Sequence, residues 1–307
     1  MTDRLTGVAV FVEAVEAGGF AAAAQRLNLS RSAVGKTVAK LEERLGARLF
    51  HRTTRSQSLT EDGQIFYERC LRALAEIRDG EAMLDSGRRE VSGRLRVSMP
   101  ALFGRHCVAP LLVKLAAQHP RLELNLNLSD RRVDLIEDGF DLAIRNGALE
   151  SDAGLTTRRI AQQRMTLCAS PAYLREHGVP QTIAALHEHD AVMYMRAGQP
   201  RAWLFPVPEG APLEIMPRSR FQFDALDVIA DATVAGMGIA WLPCWLVAGP
   251  VRRGELVRVL TDVPGLLFDV HALWPRSPHL PLRVRAAIDA LAANLSRVMG
   301  NEIGLAA

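Results

Sequence analysis

Residues 21–63 read AAAAQRLNLSRSAVGKTVAKLEERLGARLFHRTTRSQSLTEDG. An alanine-rich helical stretch, about Phe20 to Leu27, gives way at Asn28-Leu29-Ser30 to a tight turn, and a second helix runs from about Ser30 to Leu45. Ser30 is placed to cap that helix, its hydroxyl accepting from an otherwise unpaired backbone N–H. Val34, Val38, Leu41 and Leu45 recur on one side; Ser32, Lys36, Lys40 and Glu43 take the other, and Gly46 stops the helix. Upstream, Val8, Phe11, Val12 and Val15 lay one apolar stripe on a first helix that Gly18-Gly19 ends. Two helices joined by a three-residue turn, the second with small and basic residues outward, suit the width of a DNA major groove. A three-helix bundle of no particular function shows the same stripes.

Charge separates the two readings. Between Arg26 and Arg55 stand eight bases (Arg26, Arg31, Lys36, Lys40, Arg44, Arg48, Arg52 and Arg55) and two acids, Glu42 and Glu43, a net +6; the whole chain carries only +3, so the remainder is −3. A compact basic segment on an otherwise slightly acidic protein is the electrostatic signature of phosphate binding. A merely solvated charged face leaves that asymmetry unexplained.

The same stretch closely resembles the DNA-binding end of LysR-type transcriptional regulators, continuously from about Leu5 to Tyr67. The likeness includes the turn, the helix end Leu41-Glu42-Glu43-Arg44-Leu45-Gly46, the strand Arg48-Leu49-Phe50 and the exit Leu59-Thr60-Glu61-Asp62-Gly63. It implies a winged helix-turn-helix in which His51-Arg52-Thr53-Thr54-Arg55 form the wing beside the recognition helix. Carried over position by position, it places Ser30, Arg31, Ser32, Gly35, Lys36 and Lys40 at the groove. Arg31 and Lys36 are the expected base contacts, because a cationic donor matches the O6/N7 acceptors of guanine. Arg52, Thr53 and Arg55 are expected on phosphate or in the minor groove. Gly19, Ala21 and Gly35 depart from the family, which often has Ser or Thr at the first two positions and Ser at the third. A phosphate-directed hydroxyl is therefore missing at Ala21, and Gly35 inside a helix costs about 1 kcal/mol relative to alanine.

From Thr60 to about Asp85 the pattern is one long helix, with Ile65, Phe66, Leu74, Ile77 and Leu84 among its apolar positions and no clean heptad. The resemblance implies that this linker helix pairs two copies, giving a dimer or tetramer. Residues 87–93, with a glycine at each end, read as a hinge. Beyond it the periodicity changes. Leu95, Val97 and Met99 alternate with polar residues, a helix carries Val108, Leu111, Leu112 and Leu115, and Leu122, Leu124, Leu126 and Leu128 alternate again. A short helix around Val133 and Ile136 and a strand over 141–145 follow, then further elements near 167–170, 225–235, 238–242, 256–260 and 268–273, and a last helix over 281–299. Strand-helix-strand order means a largely parallel sheet wrapped by helices. This half resembles the LysR-type effector domain, itself similar to periplasmic solute-binding proteins: two α/β lobes, two crossing strands near Ile160–Met165 and Val263–Phe268, and a ligand cleft between them.

The expected organisation is an all-α winged helix-turn-helix domain over 1–60, a linker helix and hinge over 61–92, and a two-lobed α/β effector domain over 93–302. Lobe I comprises 93–163 and 267–302, and lobe II comprises 164–266. Ligands in such sheets lie at the carboxyl ends of strands. That nominates Ser98, Pro100, Ala101, Leu102 and Phe103, then Ser129, Arg145 and Asn146, with Phe223 and Asp224 from the second lobe. Arg145 has two readings: a clamp for a carboxylate-bearing small molecule, or a structural pair with Asp141 or Asp130.

Other chemistry finds little support. Cys70, Cys107, Cys168 and Cys244 are widely spaced, which points to free thiols in a reducing compartment. His187-Glu188-His189-Asp190 lacks zinc-helix spacing, and Gly236-Met237-Gly238 follows a helix rather than a strand, the reverse of a dinucleotide fingerprint. No catalytic constellation, metal site or cofactor motif stands out. The amino terminus is not an export signal and no apolar run reaches the roughly 18 residues of a membrane span, so a cytoplasmic location off the membrane is expected. A transport-associated solute binder would have no use for the basic amino-terminal segment, and an enzyme would need a catalytic group. A sequence-specific regulator of promoter DNA that answers to a small molecule fits best. RNA polymerase joins the expected partners if it activates.

Overall fold

A computed structural model of the chain describes residues 2–51, 58–84, 90–131, 133–149, 152–207 and 209–300. The chain divides into two compact units, residues 1–90 with 136–139 and residues 91–135 with 140–307.

The first unit is helical. α1 (Thr2–Glu16), α2 (Phe20–Arg26) and α3 (Arg31–Leu45) close around Phe11, which is fully buried among Val10, Val34, Val38, Leu41 and Leu49. The Phe50 ring meets Phe11 and Phe20 edge-on, at 5.6 and 5.2 Å. Ser30 caps α3 as its sequence foretells: Oγ accepts from the Ala33 N–H at 3.1 Å. Gly46, left-handed at φ 68°, ends the helix. Leu45 does not join the buried stripe; it is exposed beside that C-cap. The next strand is reduced to a single antiparallel bridge, Phe50 with Leu59, flanked by the His51 N–H to Ser58 carbonyl bond at 2.9 Å. Residues 52–57 lie outside the described residues, and with them Arg52, Thr53 and Arg55.

α4 (Glu61–Leu84) is capped by Thr60, whose Oγ1 accepts from the Gly63 N–H at 2.9 Å. Phe66, Tyr67, Cys70, Leu71 and Leu74 are the residues that pack onto the helical core. Ile65 and Ile77, counted from sequence among the apolar positions, are exposed. The packed face follows α1 and the bridge, not the most apolar stripe of α4 taken alone.

The second unit is a ten-stranded sheet path bent into two lobes. In lobe I, β1 (Gly93–Met99) pairs in parallel with β2 (Leu122–Leu128) and β3 (Leu142–Asn146). Between β1 and β2, α5 (Ala101–Phe103) passes through a π-helical turn (Gly104–Val108) into α6 (Ala109–Gln118). β12 (Leu267–Pro275) adds antiparallel to β3, and α10 (Leu282–Val298) packs Val284, Ile288, Leu291 and Leu295 into the same core. The helix expected around Val133 and Ile136 is absent among the described residues. The chain makes one wide turn, with the Phe140 N–H on the Leu135 carbonyl at 2.9 Å, and Gly139 at φ 67° turns it off the helical path.

β4 (Leu155–Ala169) is a crossing strand. It pairs with β12 through Arg164, then from Met165 to Cys168 with β10 (Ile239–Pro243) and from Leu167 to Ala169 with β11 (Val257–Val259). The return crossing runs through residues 260–266, where the Met165 N–H donates to the Leu266 carbonyl at 3.0 Å. Lobe II adds α7 (Pro171–His177), β5 (Ala191–Arg196), β6 (Gln199–Pro200), β9 (Ser219–Phe223), α8 (Leu226–Val234) and α9 (Cys244–Arg252). A small antiparallel pair, β7 (Trp203–Phe205) with β8 (Leu213–Ile215), went unforeseen; its inward residues Trp203, Phe205 and Ile215 are buried in the lobe II core. No single helix among the described residues is long and apolar enough to cross a membrane.

Candidate nucleic-acid interface and effector cleft

α3 presents Arg31, Ser32, Lys36 and Lys40 to solvent on the side away from Val34, Val38 and Leu41. Ser30 is exposed as well, though its hydroxyl is engaged as the cap. Gly35 is half-buried, and a β-carbon there would meet the Phe20 ring at 3.8 Å, so this position sits at the packing seam with α2. The basic residues of the segment are not equivalent. Arg26 pairs with Glu13 at 3.1 Å and Arg48 with Glu42 at 3.1 Å, whereas Arg31, Lys36, Lys40 and Arg44 stand exposed on or at the end of α3. Sequence counting weighs all eight alike; among the described residues the fold assigns Arg26 and Arg48 to its own acids.

Glu42, which sequence reading counted as a negative charge and as part of the family-like helix end, is buried. Its Oε1 accepts from the Leu49 and Phe50 N–H groups at 2.7 and 3.2 Å.

In the second unit the ends of β1 and β3 come together. Ser98, at the end of β1, is fully buried, and its Oγ accepts from Arg145 Nη2 at 3.0 Å. Arg145 Nη1 also donates to the Ile144 carbonyl at 2.9 Å. Neither acid proposed as a structural partner of Arg145 is idle: Asp141 takes Arg283 (3.0 Å) and the Arg96 N–H (2.7 Å), and Asp130 accepts from the Ala101 N–H at 3.2 Å. The helix start after Pro100 is therefore already served by a carboxylate from the chain itself. Ser129 donates its N–H to the Met99 carbonyl (2.9 Å) and holds the Arg131 N–H on its hydroxyl (3.2 Å). Pro100, Ala101 and Leu102 are half-buried, while Phe103 turns into the lobe I core with its ring 5.6 Å from Trp245. Asn146 buries Oδ1 without a hydrogen-bond partner.

Lobe II contributes Phe223, half-buried, and Asp224, exposed, at the end of β9. Tyr194 stands beside Phe223 in register on β5. Burial pushes its phenol up, with Arg196 and Arg201 opposing and Asp130 and Asp224 adding to the rise. Acids from both lobes thus act on one hydroxyl. Trp245 joins the lobes directly: Nε1 donates to Gln163 on the crossing strand at 3.1 Å, and its ring lies 6.2 Å from His106. Sequence reasoning did not single out Tyr194 on β5, Gln163 on the crossing strand β4 or Trp245 on α9, because it looked at the ends of a few strands and these residues meet only once the chain is folded.

The set-aside histidine cluster is structural. His189 is buried with Nδ1 3.2 Å from the Tyr173 hydroxyl, and Asp190 pairs with Arg218 at 3.1 Å.

Known proteins share this organisation. Residues 5–64 match the family of bacterial regulatory helix-turn-helix proteins of the lysR type, and residues 88–296 match the LysR substrate binding domain. An HTH-type transcriptional repressor of Pseudomonas aeruginosa (strain UCBPP-PA14) is 37% identical, covering 94% of this chain and 90% of its own. The HTH-type transcriptional activator AaeR of Escherichia coli (strain K12) is 35% identical over 94% and 93%. The structure of CrgA, a LysR-type transcriptional regulator from Neisseria meningitidis, superposes with a TM-score of 0.59 at 31% identity, covering 94% of this chain and 98% of CrgA. Full-length AphB, a virulence activator of Vibrio cholerae, does so with 0.59 at 27% identity over 95% and 99%. With a lysR-type DNA-binding module and a substrate-binding module in one chain, and full-length likeness to such regulators, the protein belongs to the LysR family of DNA-binding transcriptional regulators, which are not enzymes.

Proposed function

We propose that this regulator seats α3 in the major groove of promoter DNA, with Arg31 and Lys36 donating to base edges and Ser30, Ser32, Gly35 and Lys40 along the same approach. Arg52, Thr53 and Arg55 contact phosphate or the minor groove on the flank. The observation that carries this is the exposed row Arg31, Ser32, Lys36 and Lys40 opposite the buried face of α3, in a segment where, among the described residues, Arg26 and Arg48 are tied to acids and the bases of this row are not engaged that way. Two copies reading two half-sites double the contact, which is the role of self-association as a dimer or tetramer. The protein works in the cytoplasm beside its promoters; where it activates, RNA polymerase is the further partner.

The effector in this reading is a small carboxylate-bearing molecule held between the lobes. Arg145, steadied by Ser98, is the group that faces its charge, since Asp130 already takes the helix start. Such a ligand changes DNA binding only through unequal affinity for the two lobe arrangements.

Fluorescence anisotropy on duplex DNA, selected by the full-length protein from a randomised pool, tests the DNA half. Arg52→Ala is expected to weaken binding to all sequences alike and lower the salt slope by about 1. Lys36→Ala is expected to relax sequence preference. Equal preference and equal slope in both variants refute the assignment.

A further inference from the structure

From the contacts of Glu42 we infer that it is a positioning residue for DNA binding, setting the wing strand relative to the recognition helix. The inference rests on the wing reading proposed above. α3 ends at Leu45, and the chain doubles back through Gly46 and Ala47 to the bridge at Phe50. Glu42 is the last buried residue of α3, only 9% exposed, and its carboxylate points across this bend. Oε1 accepts the N–H groups of Leu49 (2.7 Å) and Phe50 (3.2 Å), while Oε2 meets Arg48 Nη1 at 3.1 Å. Three successive residues of the strand are thereby fixed to one side chain of the helix.

This is an unusual use of a glutamate. Carboxylates are seldom buried, and one that is must find donors for most of its lone pairs. Two backbone N–H groups and one guanidinium do so here. Among the described residues, strand pairing here amounts to the Phe50–Leu59 bridge and the His51 N–H to Ser58 carbonyl bond. The opposite side of the same residues is held by the linker end: the Leu49 carbonyl accepts from the Thr60 N–H (3.0 Å) and the Arg48 carbonyl from Thr60 Oγ1 (2.6 Å). Arg48 to Phe50 are thus clamped between the recognition helix and the start of α4. Two residues beyond Phe50 the chain reaches Arg52. On the wing reading, fixing Leu49 and Phe50 to α3 fixes the point from which the chain enters the wing. Without the carboxylate the strand keeps its Thr60 bonds and its packing but loses its hydrogen bonds to the helix.

The recognition helix itself does not depend on this tie. α3 keeps its Ser30 cap and the packing of Val34, Val38 and Leu41. Glu42 therefore acts through the wing, and a double-mutant cycle reads that directly. DNA affinity is measured by anisotropy across a salt series, on duplex DNA selected as above, for full-length Glu42→Ala, Arg52→Ala, Lys36→Ala and the two double variants carrying Glu42→Ala. Glu42→Ala is expected to lower the salt slope by about 2, as both wing arginines lose their place. Adding Arg52→Ala to it is expected to weaken binding no further. Adding Lys36→Ala multiplies the two single effects to within about twofold. Glu42→Gln, whose side-chain carbonyl still accepts from Leu49 and Phe50, restores most of the slope, which a general loss of stability does not predict. If Glu42→Ala melts below the assay temperature, Glu42→Asp, one methylene short of the strand, goes through the same cycle. Independent, multiplying effects of Glu42→Ala and Arg52→Ala overturn the positioning role. An Arg52→Ala variant that binds like the parent overturns the wing reading itself, and the positioning role with it; the two failures are told apart by that single variant.

Discussion

His189 is buried with Nδ1 against the Tyr173 hydroxyl. The Tyr173 hydroxyl accepts from the Asp190 N–H at 2.9 Å, which leaves its one proton for His189 Nδ1 at 3.2 Å or the Asp190 carbonyl at 3.5 Å. Burial, with His177 adding to it, holds the His189 imidazole below the ordinary histidine range, against the opposite pull of Glu188 and Asp190. The unfolded chain thus takes up a proton more readily than the folded one, so this group's contribution to stability is complete above about pH 6.5 and declines as the pH falls below that value. Urea unfolding from pH 7.5 down to 5.5 is expected to show that decline, and His189→Gln to flatten it; an equal decline in the variant rules out His189 as its source. The four cysteines make a second case. All are free and buried; burial pushes Cys107 and Cys168 up to about 12 and Cys70 to about 11, the last despite Arg44. Since the thiolate is the reactive form, Ellman's reagent at pH 8 is expected to label none of the four in the native protein and all four in urea. Rapid labelling of any one in the native state refutes that protection.

At the scale of the element, two glycines of the DNA-binding unit call for opposite outcomes. A β-carbon at Gly63 would lie 2.0 Å from the Leu49 backbone carbonyl oxygen, and backbone cannot yield. Gly63→Ala is expected to pull the start of α4 off the bridge and lower the melting temperature of this unit markedly. At Gly35 the nearest atom is a Phe20 ring carbon at 3.8 Å, an ordinary contact, so Gly35→Ala is expected to stabilise α3 by about 1 kcal/mol through helix propensity. Thermal unfolding followed at 222 nm checks both, and a neutral Gly63→Ala refutes the close approach. The Leu59-Thr60-Glu61-Asp62-Gly63 run was legible as a family signature, but its physical reason was not: the approach of Gly63 to Leu49 is a tertiary fact without a periodicity. The same division runs through the other elements. The Ser30 cap, the stripe Val34, Val38, Leu41 and the alternation of Leu95, Val97, Met99 are local patterns and were readable. Leu45 was grouped with the buried stripe though burial depends on which neighbour arrives, as the exposure of the apolar Ile65 and Ile77 also shows, and the helix at Val133 was misread because one apolar turn before Gly139 looks helical until its hydrogen bonds are known.

On the scale of the whole molecule, the chain separates sensing from reading, and the cores follow that separation. The hydrophobic cluster around Phe11 is built from residues between Val8 and Leu74, and the effector half has four clusters of its own, drawn from residues between Val91 and Met299. Ser98, Arg145, Tyr194, Gln163 and Trp245 all belong to this second unit, so on the proposed reading the effector site is built within it. A fragment starting at Glu90 therefore retains every contact described around Arg145. It is expected to fold alone, to unfold in urea at the midpoint of the matching transition of the full chain, and to bind an effector with unchanged affinity while showing no salt-dependent DNA binding. Probing that fragment by thermal shift against a panel of small carboxylates, with Arg145→Gln as control, puts the cleft to the test apart from DNA. A carboxylate that stabilises fragment and Arg145→Gln equally dissociates Arg145 from the ligand's charge; one that stabilises only the full chain dissociates sensing from this unit.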